Sequence, residues 1–143
     1  MNAEETGPLH GWILVVDDDP AQCRLVRRVL GREYRVRSAT SAGEALPLLD
    51  SSWSLLILDI HLPGTGGLEL LRAARKKHPG QPVLILSGDV DMDTVREALA
   101  SGAHTYITKP FDVEDLQDAV SALTGNGHPA APERRPWRVK PPA

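Results

Sequence analysis

Four apolar runs in this chain each stop at a residue able to do chemistry. Asp17-Asp18-Asp19 follows Trp12–Val16, Asp59 follows Leu55–Leu58, Ser87 follows Val83–Leu86, and Lys109 comes just after Thr105–Ile107. A lone acid after a strand is more often a helix cap than a ligand, and Asp19 before Pro20 is read as such a cap. Four complementary groups at four such ends are hard to obtain by chance. Clustered carboxylates repel one another unless a cation sits between them. A hard divalent ion with oxygen ligands and several retained waters fits, which means Mg2+. Asp18 and Asp59 are the expected direct ligands, Asp17 acts through a water, and the backbone carbonyl of His61 could add a further oxygen. A carboxylate oxygen of Asp59 not used for metal is then free to attack phosphorus, giving an aspartyl phosphate. Phosphoryl transfer is mostly a problem of placing and neutralising charge. Lys109 would share that task with the metal, and Ser87 would hydrogen-bond the third phosphoryl oxygen.

The elements that must position these groups alternate along the chain. Trp12–Val16, Leu55–Leu58 and Val83–Leu86 are continuous apolar runs, as strands buried on both faces are. Tyr34–Ala39 and Thr105–Ile107 read as shorter strands. Between them lie helical patterns. Residues 20–31 begin at Pro20, carry Leu25, Val26, Val29 and Leu30, and end at Gly31. Ser41 to Glu44 is a capping box, and Pro47 should distort the helix it opens. Helices are also expected over 66–78, with Leu68, Leu70, Leu71 and Ala74 inward, over 91–101, and over 112–124. Five strand–helix units in succession require a parallel sheet with helices on both faces. The expected fold class is α/β, flavodoxin-like (βα)5 in three layers, with strand order 2-1-3-4-5. In such sheets the functional crevice lies at the carboxyl ends of the strands, where the polar groups fall.

The chain has 143 residues, the size of one domain. Residues 1–11 read as a flexible leader, 12–124 as the folded domain, and 125–143 as a Pro-rich tail or linker. Cys23 is the only cysteine, so an internal disulfide is excluded and a cytoplasmic setting is expected. It reads as a small buried residue rather than a redox sensor. The N-terminus shows no signal peptide, and no run reaches the roughly 18 apolar residues of a membrane span. A formal net charge of −3 argues against broad nucleic-acid binding.

The motifs VVDDDP (15–20), LILDIHLPG (56–64), LILSGD (84–89) and YITKPF (106–111) together resemble the receiver domains of two-component response regulators. The stretch GDVDMDTVREALASGAHTYITKPF looks most like receivers of the nitrogen-regulation and nitrogen-fixation type. The resemblance implies phosphorylation of Asp59 by a sensor histidine kinase or phosphotransfer protein, dependence on Mg2+, and a cis Lys109-Pro110 bond. Such a domain is a signalling module, not a metabolic enzyme, though it catalyses its own phosphorylation and dephosphorylation. The resemblance also implies a switch: Ser87 turns toward the phosphoryl group, Tyr106 rotates inward, and the face of the last two helices and last strand changes. His61 and Asp89, each two positions past a site residue, would tune phosphate lifetime. The output would be a downstream protein partner or a tethered output domain, and a phosphorylation-dependent dimer is compatible. His104 and Thr105 stand where one dimerising subgroup has paired acids, which argues against that salt-bridged dimer. Trp53-Ser54 replaces a frequent Pro-Asp pair, and Trp53 reads as a packing residue.

Three other readings compete. Asp17-x-Asp19 resembles the nucleophile motif of haloacid dehalogenase-type phosphatases, but that leaves Asp59 unexplained and lacks a late acidic pair. A flavin-binding flavodoxin shares the topology, but a triply acidic first loop would repel its phosphate. The chain could also be the receiver fragment of a longer regulator with a DNA-binding or enzymatic output. The basic stretch 133–140, with Trp137, reads as a solvated tail or a docking peptide.

Overall fold

The computed structural model describes residues 11–62, 66–88 and 91–125. Strands and helices alternate as β1 (Trp12–Val16), α1 (Pro20–Leu30), β2 (Arg35–Ala39), α2 (Ala42–Leu48), β3 (Leu55–Leu58), α3 (Gly67–Lys77), β4 (Val83–Ser87), α4 (Met92–Ala100), β5 (Thr105–Thr108) and α5 (Val113–Thr124). The sheet is parallel, in the order β2-β1-β3-β4-β5. This is the α/β flavodoxin-like arrangement expected from the alternation of elements.

Strand periodicity divides the core in two. Ile13, Val15, Leu55, Ile57, Leu84, Leu86 and Ile107 face α1 and α5, where they meet Cys23, Val26, Leu30, Leu116, Ala119 and Val120. Leu14, Val16, Leu56, Leu58, Val83 and Ile85 face the other way, onto Ala45, Leu70, Leu71, Ala74 and Ala98. Burying each such Leu or Ile contributes about 1.5–3 kcal/mol. The central strands are therefore apolar up to Ser87, which ends β4, whereas β2, at an edge, carries exposed Arg35 and Arg37.

Local signals place the helix starts. Asp19 caps α1 by accepting the Ala21 N–H at 2.9 Å, and Asp91 caps α4 by accepting the Thr94 N–H at 2.7 Å. The box at Ser41 is only half reciprocal. Ser41 Oγ accepts the Glu44 N–H at 3.1 Å, but Glu44 Oε1 reaches past the cap to the Thr40 N–H and hydroxyl, both at 2.7 Å. Pro47 does not distort a long helix; α2 stops at Leu48, one residue after it. The inward face of α1 also differs from expectation. Leu25 is exposed, while Cys23 is buried as its residue type implied, because the buried stripe runs 23, 26, 30.

Candidate functional site

β1, β3 and β4 bring their carboxyl ends level. Val16 pairs with Leu58, and Leu58 with Ile85, so the residues that follow meet above one edge of the sheet. Ser87 Oγ donates to Asp59 Oδ1 at 2.6 Å, and the His61 N–H donates to the same oxygen at 2.9 Å. Lys109 Nζ donates to Asp59 Oδ2 at 3.0 Å and to Asp17 Oδ2 at 2.6 Å. The Asp19 N–H donates to Asp17 Oδ1 at 2.9 Å. Asp17 and Asp59 are buried while Asp18 is exposed at the mouth, and one carboxylate oxygen from each lies within 4.8 Å of the other two. Lys109 enters at the end of β5, just before Pro110, and the Lys109-Pro110 bond is cis, as the resemblance implied.

The charges respond to this geometry. Burial acts to raise the Asp59 carboxyl, but hydrogen bonds from Ser87, His61 and Lys109 outweigh it and hold the group below the usual aspartate range. Asp59 is thus a buried carboxylate that stays ionised at neutral pH. Burial wins at Asp17, whose carboxyl sits above its ordinary value despite the hydrogen bonds from Lys109 and the Asp19 N–H. Burial would lower Lys109, yet its hydrogen bonds to Asp17 and Asp59 outweigh that and hold the ammonium above its ordinary value. Three carboxylates against one ammonium leave the pocket electronegative, as a site that receives a cation must be.

A match to the response regulator receiver domain model covers residues 13–121. The chain belongs to that family. Among curated relatives, the receiver domain is 38% identical over 111 residues to the transcriptional regulatory protein ZraR of Klebsiella oxytoca, covering 76% of this chain and 25% of that protein. It is 42% identical over 107 residues to TrcR of Mycobacterium tuberculosis, covering 73% and 41% respectively. Among solved structures, NtrX from Brucella abortus aligns with a TM-score of 0.76 at 34% identity, over 80% of this chain and 27% of that one. A CheY-like receiver domain from Methanospirillum hungatei aligns with a TM-score of 0.78 at 33% identity, over 82% and 95%. These relatives are consistent with the nitrogen-regulation look of residues 88–111. The chain spans about a quarter to a half of the length of the curated relatives it matches.

The receiver domain thus gathers Asp17, Asp18, Asp59, Ser87 and Lys109 as expected from sequence. Tyr106 is half-buried on β5. It pairs in register with Ile85, two positions before Ser87, and lies on the same face of the sheet as Ser87. The side chain of His61 is exposed. Asp89 and the tail from residue 126 lie outside the described residues, as do the first ten residues of the leader. Cys23 is buried, with Sγ 3.5 Å from the Asp17 carbonyl, and burial pushes its thiol up. Trp53 is a half-buried packing residue whose backbone N–H and C=O are both held by the buried Gln81 side chain.

Two contributors escaped the sequence reading. Gly67, at the start of α3, donates its N–H to the Ile60 carbonyl, and a Cβ there would lie 2.5 Å from Ile60 Cα and 2.6 Å from the Asp59 carbonyl oxygen. The Gly66-Gly67 pair was the available signal. His104 closes the foot of β4, where its Nδ1 accepts the Val83 N–H at 3.1 Å; nothing in the sequence marks that contact. Among the described residues, no helix is long and apolar enough to cross a membrane.

Proposed function

We propose that Asp59 is the phosphoryl acceptor of this receiver domain and that the acidic pocket takes Mg2+. The observation that carries this reading is a buried carboxylate held ionised by Ser87, His61 N–H and Lys109, beside two further acids. An ionised oxygen is what attack on phosphorus requires. The donor set is all oxygen, negative and open on the Asp18 side, which fits a hard cation that keeps several waters. Asp18 and Asp59 would hold it directly and Asp17 through a water, with the His61 carbonyl as a further oxygen. When bound, Mg2+ supplies positive charge that neutralises the transferring phosphoryl group. Asp59 then forms the bond to phosphorus while the donor's phosphorus–nitrogen or phosphorus–oxygen bond breaks. Lys109 exchanges part of its bonding to Asp59 for a phosphoryl oxygen, and Ser87 transfers its hydroxyl donation from Asp59 Oδ1 to another. The domain catalyses this step itself and the later hydrolysis of the acyl phosphate by water, with His61 and Asp89, each two positions past a site residue, setting the lifetime.

The donor would be a sensor histidine kinase or a phosphotransfer protein, and the site of action cytoplasmic. The readout is the face of α4, β5 and α5, offered to a downstream protein, to a second copy, or to an output domain tethered beyond a folded unit spanning 12–124. The greater length of the matched relatives favours the tethered arrangement as the second reading. Incubation with acetyl phosphate and Mg2+ should add one acid-stable, hydroxylamine-labile phosphate, and Asp59→Asn should abolish it. Labelling of that variant to the wild-type extent would show that another residue is the nucleophile.

A further inference from the structure

At the end of the sheet opposite the acidic pocket, Trp12 opens β1 with 48% of its surface exposed. Trp53 meets it edge to face, with ring centroids 6.5 Å apart and planes at 77°. The Trp53 indole N–H is already committed to the Leu48 carbonyl at 2.9 Å. Trp12 Nε1 has no hydrogen-bond partner among the described residues. The Arg35 guanidinium lies 5.7 Å from the centroid of the Trp12 ring. With Arg37, Pro47, Leu48 and Ser51, the two tryptophans line an open groove of about 360 Å3. Aromatic walls, an available indole donor and a nearby cation suit an extended proline-containing segment, whose polyproline geometry loses little entropy on docking.

The chain itself supplies such a segment. α5 ends at Thr124, whose Oγ1 is 2.8 Å from the Tyr34 hydroxyl, and Tyr34 immediately precedes Arg35. The chain therefore leaves the described fold at the groove's end of the sheet. Four residues beyond Gly125 comes Pro129-Ala130-Ala131-Pro132-Glu133, a P-x-x-P motif followed by an acid. Four extended residues span about 14 Å at most, which sets how far from Gly125 the motif can begin. Glu133 matches the charge of Arg37.

We propose that the Trp12–Trp53 groove is the seat of this chain's own Pro129–Glu133 segment. The prolines pack on the two indoles, Trp12 Nε1 donates to a backbone carbonyl of the segment, and Glu133 pairs with Arg37. A short tether gives a local concentration of about 1 mM, so an intrinsic Kd near about 1 mM already leaves the groove half occupied. Docking here fixes where Arg134, Arg135 and Trp137 emerge, and leaves the acidic pocket uncovered whether or not Asp59 is the phosphorylated residue.

The test uses the full chain labelled with 15N, with indole signals assigned through Trp12→Phe and Trp53→Phe. Pro129→Ala with Pro132→Ala leaves every residue of 11–125 unchanged. It should shift the Trp12 and Trp53 indole signals and strip exchange protection from the amides of Ala130, Ala131 and Glu133. Arg37→Glu should do the same, and Arg37→Glu combined with Glu133→Arg should restore the wild-type positions. A peptide of residues 128–134, added at about 1 mM to the double proline variant, should move the indole signals back toward wild type. Indole signals unmoved by the proline substitutions, with the peptide silent, would overturn the proposal. So would wild-type signals that move on dilution, which would place a second copy in the groove.

Discussion

Asp59 and Asp17 lie in one pocket, equally buried, yet their carboxyls shift in opposite directions. Asp59 receives three donors and Asp17 two, and that difference holds Asp59 as the more readily ionised of the two acids. Asp18, exposed at the mouth, adds negative charge with no hydrogen-bond donor among the described residues. Asp18→Asn should therefore weaken Mg2+ binding at least about tenfold, as loss of a ligand does, while leaving metal-free stability equal or higher because like-charge repulsion falls. Calorimetry is the suitable measurement, since Trp12 and Trp53 both stand at the far end of the sheet. An unchanged titration would remove Asp18 from the metal site. His104 offers a test by pH. Burial lowers its imidazole pKa below the usual value, with the nearby Arg75 charge acting the same way, and its neutral Nδ1 accepts the Val83 N–H. A depressed folded pKa means the unfolded chain takes up the proton first. The contribution of His104 is therefore complete above the ordinary histidine range near 6.5 and is lost as pH falls through the folded value. Denaturant midpoints between pH 8 and pH 5 should fall more steeply for the wild type than for His104→Asn. The difference should be small, because the ring is partly exposed. Parallel curves would show that the ring does not titrate differently on folding.

At the scale of elements, the start of α3 packs directly on the Asp59–Ile60 backbone. Gly67 packs its α-carbon against the Asp59–Ile60 backbone, where no side chain fits, whereas Gly66 has open space but a φ of +85°. These two glycines should separate on substitution. Gly67→Ala must push α3 away from the site, costing about 1–3 kcal/mol by overpacking and slowing phosphorylation of Asp59. Gly66→Ala should cost about 1–3 kcal/mol, because its φ of +85° with ψ of 158° is a backbone region essentially reserved for glycine, and leave the labelling rate near that of the wild type. Urea unfolding with acetyl phosphate labelling reads both quantities, and equal slowing in the two variants would refute the packing role of Gly67. The helix caps follow the same local logic. Asp19 and Ser41 were legible because capping depends on neighbours in sequence. The reach of Glu44 to Thr40 was not, because it depends on how the chain enters the helix.

Across the whole molecule, the sheet separates two cores and carries the pocket at one end. Ser87 and Tyr106 share a face of the adjacent strands β4 and β5, and under the proposed function they would carry the change from the pocket to α4 and α5. Beryllofluoride with Mg2+ should shift amides in 91–111 while those in 34–40 stay nearly still. Ser87→Ala should still phosphorylate, more slowly, yet lose most of the propagated change, because a ligand shifts a two-state equilibrium only through contacts that differ between the states. Full transmission in that variant would exclude this hydroxyl as the coupling element. The fold was legible in the sequence because short unbroken apolar runs such as Leu55–Leu58 read as buried strands, and the helical patterns between them imply parallel order. Asp17, Asp18, Asp59, Ser87 and Lys109 were legible as a set because each directly follows, or comes just after, such a run, and parallel strands carry their ends to one edge. Tertiary structure alone decided which oxygen of Asp59 meets Ser87 and which meets Lys109. It also decided that His104 caps Val83 and that Trp12 and Trp53 form a groove. Those outcomes rest on distances between residues remote in sequence, and no periodicity or local propensity encodes them.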